Sequence, residues 1–292
     1  MRAQSNRSVN TGLTDTAVPT ALQGLDLSGP VLSVWALAFV LVLSRTGGVV
    51  MLMPGIGEQS MPMMVRAGCA LTLTVLLLPL VAPLLMQTHL DALAPLALCG
   101  MIAVELFAGV LIGWMARLIC MALPIAGQII AVCMGISSVL QPDPDLGSGS
   151  SAPARFLNLL APLVLLVTGA YILPIRAILG SYTIIPPGGA LLLATTHAHW
   201  NLLGDSAQGV IQLTEHSFAL GLELSAPFLI LSLVWQGMLG IMTRLLPTLQ
   251  IYNAASPLQL LGGIALLGLT LSTMIAIWEG QAFDVLRALP GL

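Results

Sequence analysis

Long apolar runs separated by short polar breaks dominate the chain. They far exceed the ~10-residue alternating strands of a membrane barrel, so the pattern predicts helices. Residues 31–53, 65–86 and 92–123 form the first three runs, and Arg45 interrupts the first. A turn-rich loop, PGIGEQSMP at 54–62, joins the first two and is closed by Arg66. A polar break at 87–91 precedes the third. Pro124 and Gly127 predict a kink or restart, because proline removes a helical hydrogen bond. A shorter helix is expected at 125–140. There follows LQPDPDLGSGSSAPAR, residues 140–155, in which nothing can pack a core. Residues 154–182 predict one long helix, ended by IIPPGG at 184–189. The stretch 190–212 is mixed in polarity, with His197, His199, Asp205 and Gln208, and reads as an amphipathic segment broken near Gly204. Helix is expected at 213–246, a connector at 247–257, a last clear span at 258–278 and a short helix to 289. At ~1.5 Å per residue, ~20 residues cross the hydrocarbon, and the pattern gives about five to seven spans.

Composition agrees with a membrane setting. The chain has 292 residues, 57% hydrophobic and 7% charged, with mean hydropathy +0.99. Soluble domains carry about 25% charged residues, so the expected class is an all-α polytopic hydrophobic protein. Residues 1–30 hold Arg2 and Arg7 but no apolar stretch. They are expected to form a flexible polar tail rather than a secretion signal, with 31–289 as a single helical domain. The net charge is −3, and all nine basic residues are arginine. With no basic patch or stripe, a nucleic-acid partner is not expected. Cys69, Cys99, Cys120 and Cys133 sit singly in apolar runs without metal spacing and read as packing residues.

Charges inside the runs are the informative positions. Arg45, Glu105, Arg117, Arg176 and Arg244 interrupt or flank apolar sequence. Each would cost roughly 2.5–3.5 kcal/mol at a bilayer centre, so each faces protein, a wet cavity or the interface. Arg45 and Arg244, near run ends, either snorkel to headgroups or pair with protein. Glu105 lies near the middle of its run and needs a cation, a hydrogen-bonded neutral state or water. Arg117 is about 18 Å further along the same helix, so the two cannot pair. In ELFAGVLIG, Glu105, Gly109 and Gly113 share one face. The two glycines form the small-xxx-small pattern of close helix approach. Gly127, Gly135, Gly237, Gly240, Gly262, Gly263 and Gly268 extend this to other helices.

Catalytic motifs are missing. The chain has no H-E-x-x-H, P-loop or G-x-S-x-G. His197 and His199 are too close for adjacent helical ligands, and the prolines around Asp143 and Asp145 argue against a calcium loop. No metal, cofactor or enzymatic activity is expected. A proton-coupled or small-solute transporter, with Glu105 and Arg117 lining its path, is an alternative, although no ordered internal repeat of the usual transporter kind is visible.

Several blocks then occur in a telling order. They are RTGGVVMLMPGIGEQSMPMMVRAG from Arg45; Glu105 through Arg117; Ala126-Gly127-Gln128; Met134-Gly135; the Asp-Pro, Gly-Ser, Pro loop with Phe156-Leu157-Asn158; and TRLLPTLQIYNAASPLQLLGG from Thr243. Over roughly residues 35–278 this order resembles the FliR family of flagellar biosynthetic proteins and their injectisome counterparts. Three departures are Gly169-Ala170-Tyr171 where the family often has Gly-x-His, Gln128 in place of an acid, and Pro247-Thr248 in place of Pro-Gln. No autocleaving Asn-Pro-Thr-His sequence of the FlhB-like switch subunit is fused to the chain.

The resemblance implies a non-enzymatic subunit of an export gate in the bacterial inner membrane. Its partners would be FliP-like and FliQ-like subunits, and also an FlhB-like switch subunit. The gate would pass unfolded flagellar proteins, with loop 141–153 as a plug; use in a flagellum or an injectisome stays open. The plug would comprise Gln141, Pro142, Asp143, Pro144, Asp145, Gly147, Ser148, Gly149, Ser150, Ser151 and Pro153. Its prolines stiffen the ends, while 147–151 are small and flexible. Arg45, Arg66, Glu105, Gly109, Gly113, Arg117, Gly127, Gln128, Asn158, Arg176 and Arg244 are the expected packing and buried polar positions.

Overall fold

The computed structural model describes residues 29–58, 61–85, 95–136, 151–186, 198–245 and 251–291. Its helices are α1 (Gly29–Leu52), α2 (Met63–Leu85), α3 (Pro95–Cys120), α4 (Ala122–Cys133), α5 (Ala152–Thr168), α6 (Ile172–Ile184), α7 (Ala198–Leu245) and α8 (Ile251–Arg287). No strand occurs among the described residues. Among the described residues, five helices or helix pairs are long and apolar enough to cross a membrane, six if the bent α5–α6 pair counts as one span.

The core is built on α1 and α3. Gly109 meets Arg45, Gly48 meets Val110, and Gly113 meets Val49 and Leu52. Residue numbers rise together on the two helices, so they run in parallel, side by side. A side chain at Gly109 would collide with the Arg45 carbonyl oxygen, so only glycine permits this approach. Helix α2 lies against α1, where the buried Thr46 and Thr74 hydroxyls meet at 2.7 Å. Met121 forms a short turn between α3 and α4, and Pro124 falls in the first turn of α4. There its missing N–H is not needed.

Helix α4 packs on α5 and α7. A Cβ at Gly127 would lie 2.6 Å from Ala154 Cα, and one at Gly221 would lie 3.1 Å from Ala122 O. Helix α8 returns antiparallel to α3–α4. Gln259 meets Cys133, and Trp278, fully buried, donates its indole N–H to Ile119 O at 3.0 Å. Residues 288–291 turn back so that Gly291 meets Gly180 on α6, backbone against backbone.

Four expectations are corrected. The helix expected at 154–182 is two helices, α5 and α6, bent by 73°. Gly169 ends α5 in the left-handed region at φ +77°, and Pro174 sits in the first turn of α6; the order glycine, then proline, is a stop followed by a start. The segment expected to break near Gly204 is continuous helix through Leu245. The connector expected at 247–257 is helical from Ile251, with Pro257 inside α8. The last span and the short helix after it are one helix to Arg287. The N-terminal tail falls outside the described residues except for its last two positions, which begin α1.

Candidate functional site

Two features carry the predicted positions: a buried polar cluster across α1, α3 and α6, and the stems of the central loop.

Arg45 is fully buried and Glu105 nearly so. The Arg45 Nε donates to Glu105 Oε2 at 2.6 Å. Its Nη1 donates to Ser181 Oγ at 3.0 Å, and its Nη2 to the carbonyl of Ile185 at 3.0 Å. The guanidinium also lies 3.9 Å from the centre of the Tyr182 ring. All three guanidinium nitrogens are therefore engaged, each in a direction set by the planar group. Ile185 caps the C-terminus of α6, where the helix dipole favours a cation. The cluster thus pins the outer half of the bent pair to the α1–α3 core. The glycine at position 109, one turn beyond Glu105, lets α1 come close enough for the pair to form.

The loop stems are held from two sides. On the entering side, Gln259 Nε2 of α8 donates to Cys133 O at 2.7 Å, at the end of α4. Met134 packs into the notch left by Gly263, and Gly135 turns with φ +74°. On the returning side, Gln128 Oε1 accepts from Ser151 Oγ at 2.9 Å and from Ser151 N at 3.2 Å. Ser151 is the N-cap of α5, yet its hydroxyl donates across to Gln128 instead of capping its own helix. Pro153 is buried against Gly127. Gln141, Pro142, Asp143, Pro144, Asp145, Gly147, Ser148, Gly149 and Ser150 lie outside the described residues.

Other predicted positions are dispersed. Arg117 approaches Glu58 at 4.0 Å and Gly57 O at 3.5 Å, both half-buried contacts. Arg66 donates to Met61 O at 2.9 Å, closing the 54–62 loop. Asn158, Arg176 and Arg244 are exposed. Gly237, Gly240, Gly262 and Gly268 have no neighbour within 4 Å of an added Cβ among the described residues, so they do not serve close packing between those. Cys99 is exposed rather than packed. Ser181, Tyr182 and Gln259 were not singled out in the sequence. The available signal was a lone polar group in an apolar helix, which must find a partner.

Residues 36–284 match the family described as bacterial export proteins, family 1. A flagellar biosynthetic protein FliR of Caulobacter vibrioides is 33% identical over 251 residues, covering 84% of this chain and 93% of that protein. FliR of Pectobacterium carotovorum is 28% identical over 255 residues, 86% and 90% of the two chains. FliR of Escherichia coli is 27% identical over 233 residues, 80% and 81%. Matched along most of its own length and most of theirs, this helical chain belongs to family 1 of the bacterial export proteins, the family of the FliR proteins.

Proposed function

We propose that the chain is a structural, channel-forming subunit of the flagellar type III export gate in the bacterial inner membrane. In this reading it joins FliP-like and FliQ-like subunits and an FlhB-like switch subunit, and helps to pass unfolded flagellar proteins. It carries no catalytic chemistry of its own.

The observation that carries the reading is the match to export proteins from residue 36 to 284. The outer faces support it. In the 18-residue apolar window of Ala255–Arg287 only 11% of residues are buried inside the chain, and in that of Met63–Pro83 22%, against 44% of Trp35–Leu52. Two long helices therefore leave most of their apolar surface for neighbours, lipid or protein. The open glycines on α7 and α8 favour protein neighbours, because small residues let helices approach. Glu105, paired with a buried arginine and almost inaccessible, is poorly placed to line a transport path.

Loop 141–153 serves in this account as the plug. Its two stems are tied to Gln259 and Gln128, which fixes where a closure element would start and end. Removing residues 147–150, which keeps the Ser151 bonds to Gln128, is expected to leave the assembled complex intact and make cells leaky to ions or small solutes. Conductance and small-dye uptake in cells carrying the deletion read this directly. Unchanged permeability with an intact complex would make the loop a connector only.

A further inference from the structure

A cavity of about 460 Å³ opens between α3, α7 and α8, away from the Arg45–Glu105 cluster. Met115 and Gly209 form part of its wall, and Gln212, His216, Gln281 and Asp284 give it polar groups. The Nε2 atom of His216 is buried and meets no partner among the described residues. Asp284 makes no ion pair among the described residues. The arginine three residues on, Arg287, leans over the Phe283 ring at 5.7 Å instead.

We propose that this cavity receives a basic side chain, arginine or lysine, from a neighbouring subunit. The inference rests on the gate reading, which supplies a neighbour on this face. A carboxylate and two amide oxygens are hydrogen-bond acceptors, and an imidazole nitrogen without its proton is another. A guanidinium or ammonium group offers several donors and a positive charge, and so suits every one of them. The surrounding charge agrees. Helices α7 and α8 carry Asp205, Glu215, Glu223, Glu279 and Asp284 against Arg244 and Arg287, and the chain has no lysine. Arg244 is in the last turn of α7, far along the helix from His216. A zwitterionic lipid headgroup is the poorer occupant, because its phosphate would come close to Asp284. The donor set does not suit a metal either: no group of three His, Cys, Asp or Glu able to hold one occurs among the described residues.

The test places the photo-crosslinker p-benzoylphenylalanine at exposed Gln208, one turn before Gln212 and outside the cavity lining, in the full chain expressed with its natural partners. The same group at Phe218, 60% exposed, is the reference. The expected adduct at Gln208 joins another subunit beside an arginine or lysine, identified by peptide mass spectrometry. Asp284→Asn, close in shape to the native residue, should lower its yield about tenfold. Asp284→Lys should do the same, and changing the mapped basic residue to glutamate should restore the adduct in that background. The proposal is overturned by an adduct to lipid, by one to a second copy of this chain, by a site without a basic residue, or by a yield indifferent to both substitutions. It is also overturned if Phe218 crosslinks to partners and Gln208 does not. Failure at both positions counts against the gate reading itself, and the inference falls with it.

Discussion

Arg45→Leu is expected to destabilise the chain by about 3–5 kcal/mol, because it leaves the Glu105 carboxylate buried without its cation. The same change frees Ser181 and the Ile185 carbonyl, both hydrogen-bonded to the guanidinium. Arg45→Lys should recover only part of the loss. A single ammonium cannot reach three acceptors that lie in the fixed directions of a guanidinium. The double change Arg45→Leu with Glu105→Leu should be more stable than Arg45→Leu alone, since no charge is left stranded and well-packed apolar replacements of buried pairs are often tolerated. Thermal unfolding of the detergent-purified chain gives the order: wild type above the double variant, and the double variant above Arg45→Leu. If Arg45→Leu melted with the wild type, the cluster would have no part in holding α6 to the core.

Gly109→Ala should be the most damaging of the glycine substitutions on the α1–α3 seam. Its new methyl would collide with the Arg45 carbonyl, so α1 and α3 must part. Overpacking of a tight core costs about 1–3 kcal/mol, occasionally more, and here the parting also lengthens the Arg45–Glu105 contact. Gly240→Ala is the contrast, since nothing among the described residues lies within 4 Å of the added methyl. In the purified chain it should be neutral or stabilising by about 0.5–1 kcal/mol, because alanine is the better helix former. Equal melting temperatures for the two variants would contradict the close approach of α1 and α3. Loss of complex assembly by Gly240→Ala, with the purified chain intact, would locate a neighbouring helix at that glycine.

The helical class and most of the spans are legible in the sequence because apolar runs of this length have few other physical solutions. Boundaries are less so. Hydropathy does not report the bend at Gly169, because the residues on both sides of it, 159–175, are almost all apolar or small and backbone conformation leaves no hydropathy signal. The glycine and Pro174 together carried the signal. The connector expected at 247–257, bounded by two prolines, is helix from Ile251. Pro257 stands inside α8, as happens where neighbouring groups re-satisfy the freed carbonyl.

At the cluster, the sequence states a need without naming who meets it. A glutamate in an apolar run requires a cation, and an arginine in another requires an acid. The pairing of residues 60 apart is a tertiary fact. Gln128 shows the opposite case. It stands where the family usually has an acid, and its Oε1 accepts two bonds from Ser151, as a carboxylate oxygen could. The acceptor is kept while the charge is not. The glycines divide in the same way: Gly109 and Gly113 meet α1, whereas Gly237, Gly240, Gly262 and Gly268 meet nothing among the described residues. Sequence spacing cannot separate a glycine facing its own fold from one facing a partner.

The most direct test of the central claim is the composition of the assembly. The tagged chain, expressed with its genomic neighbours and extracted in mild detergent, would be weighed by native mass spectrometry. The account predicts one copy of this chain with several copies of two other small membrane proteins, FliP-like and FliQ-like. A lone monomer or a homodimer, with those partners present in the same membranes, would contradict it.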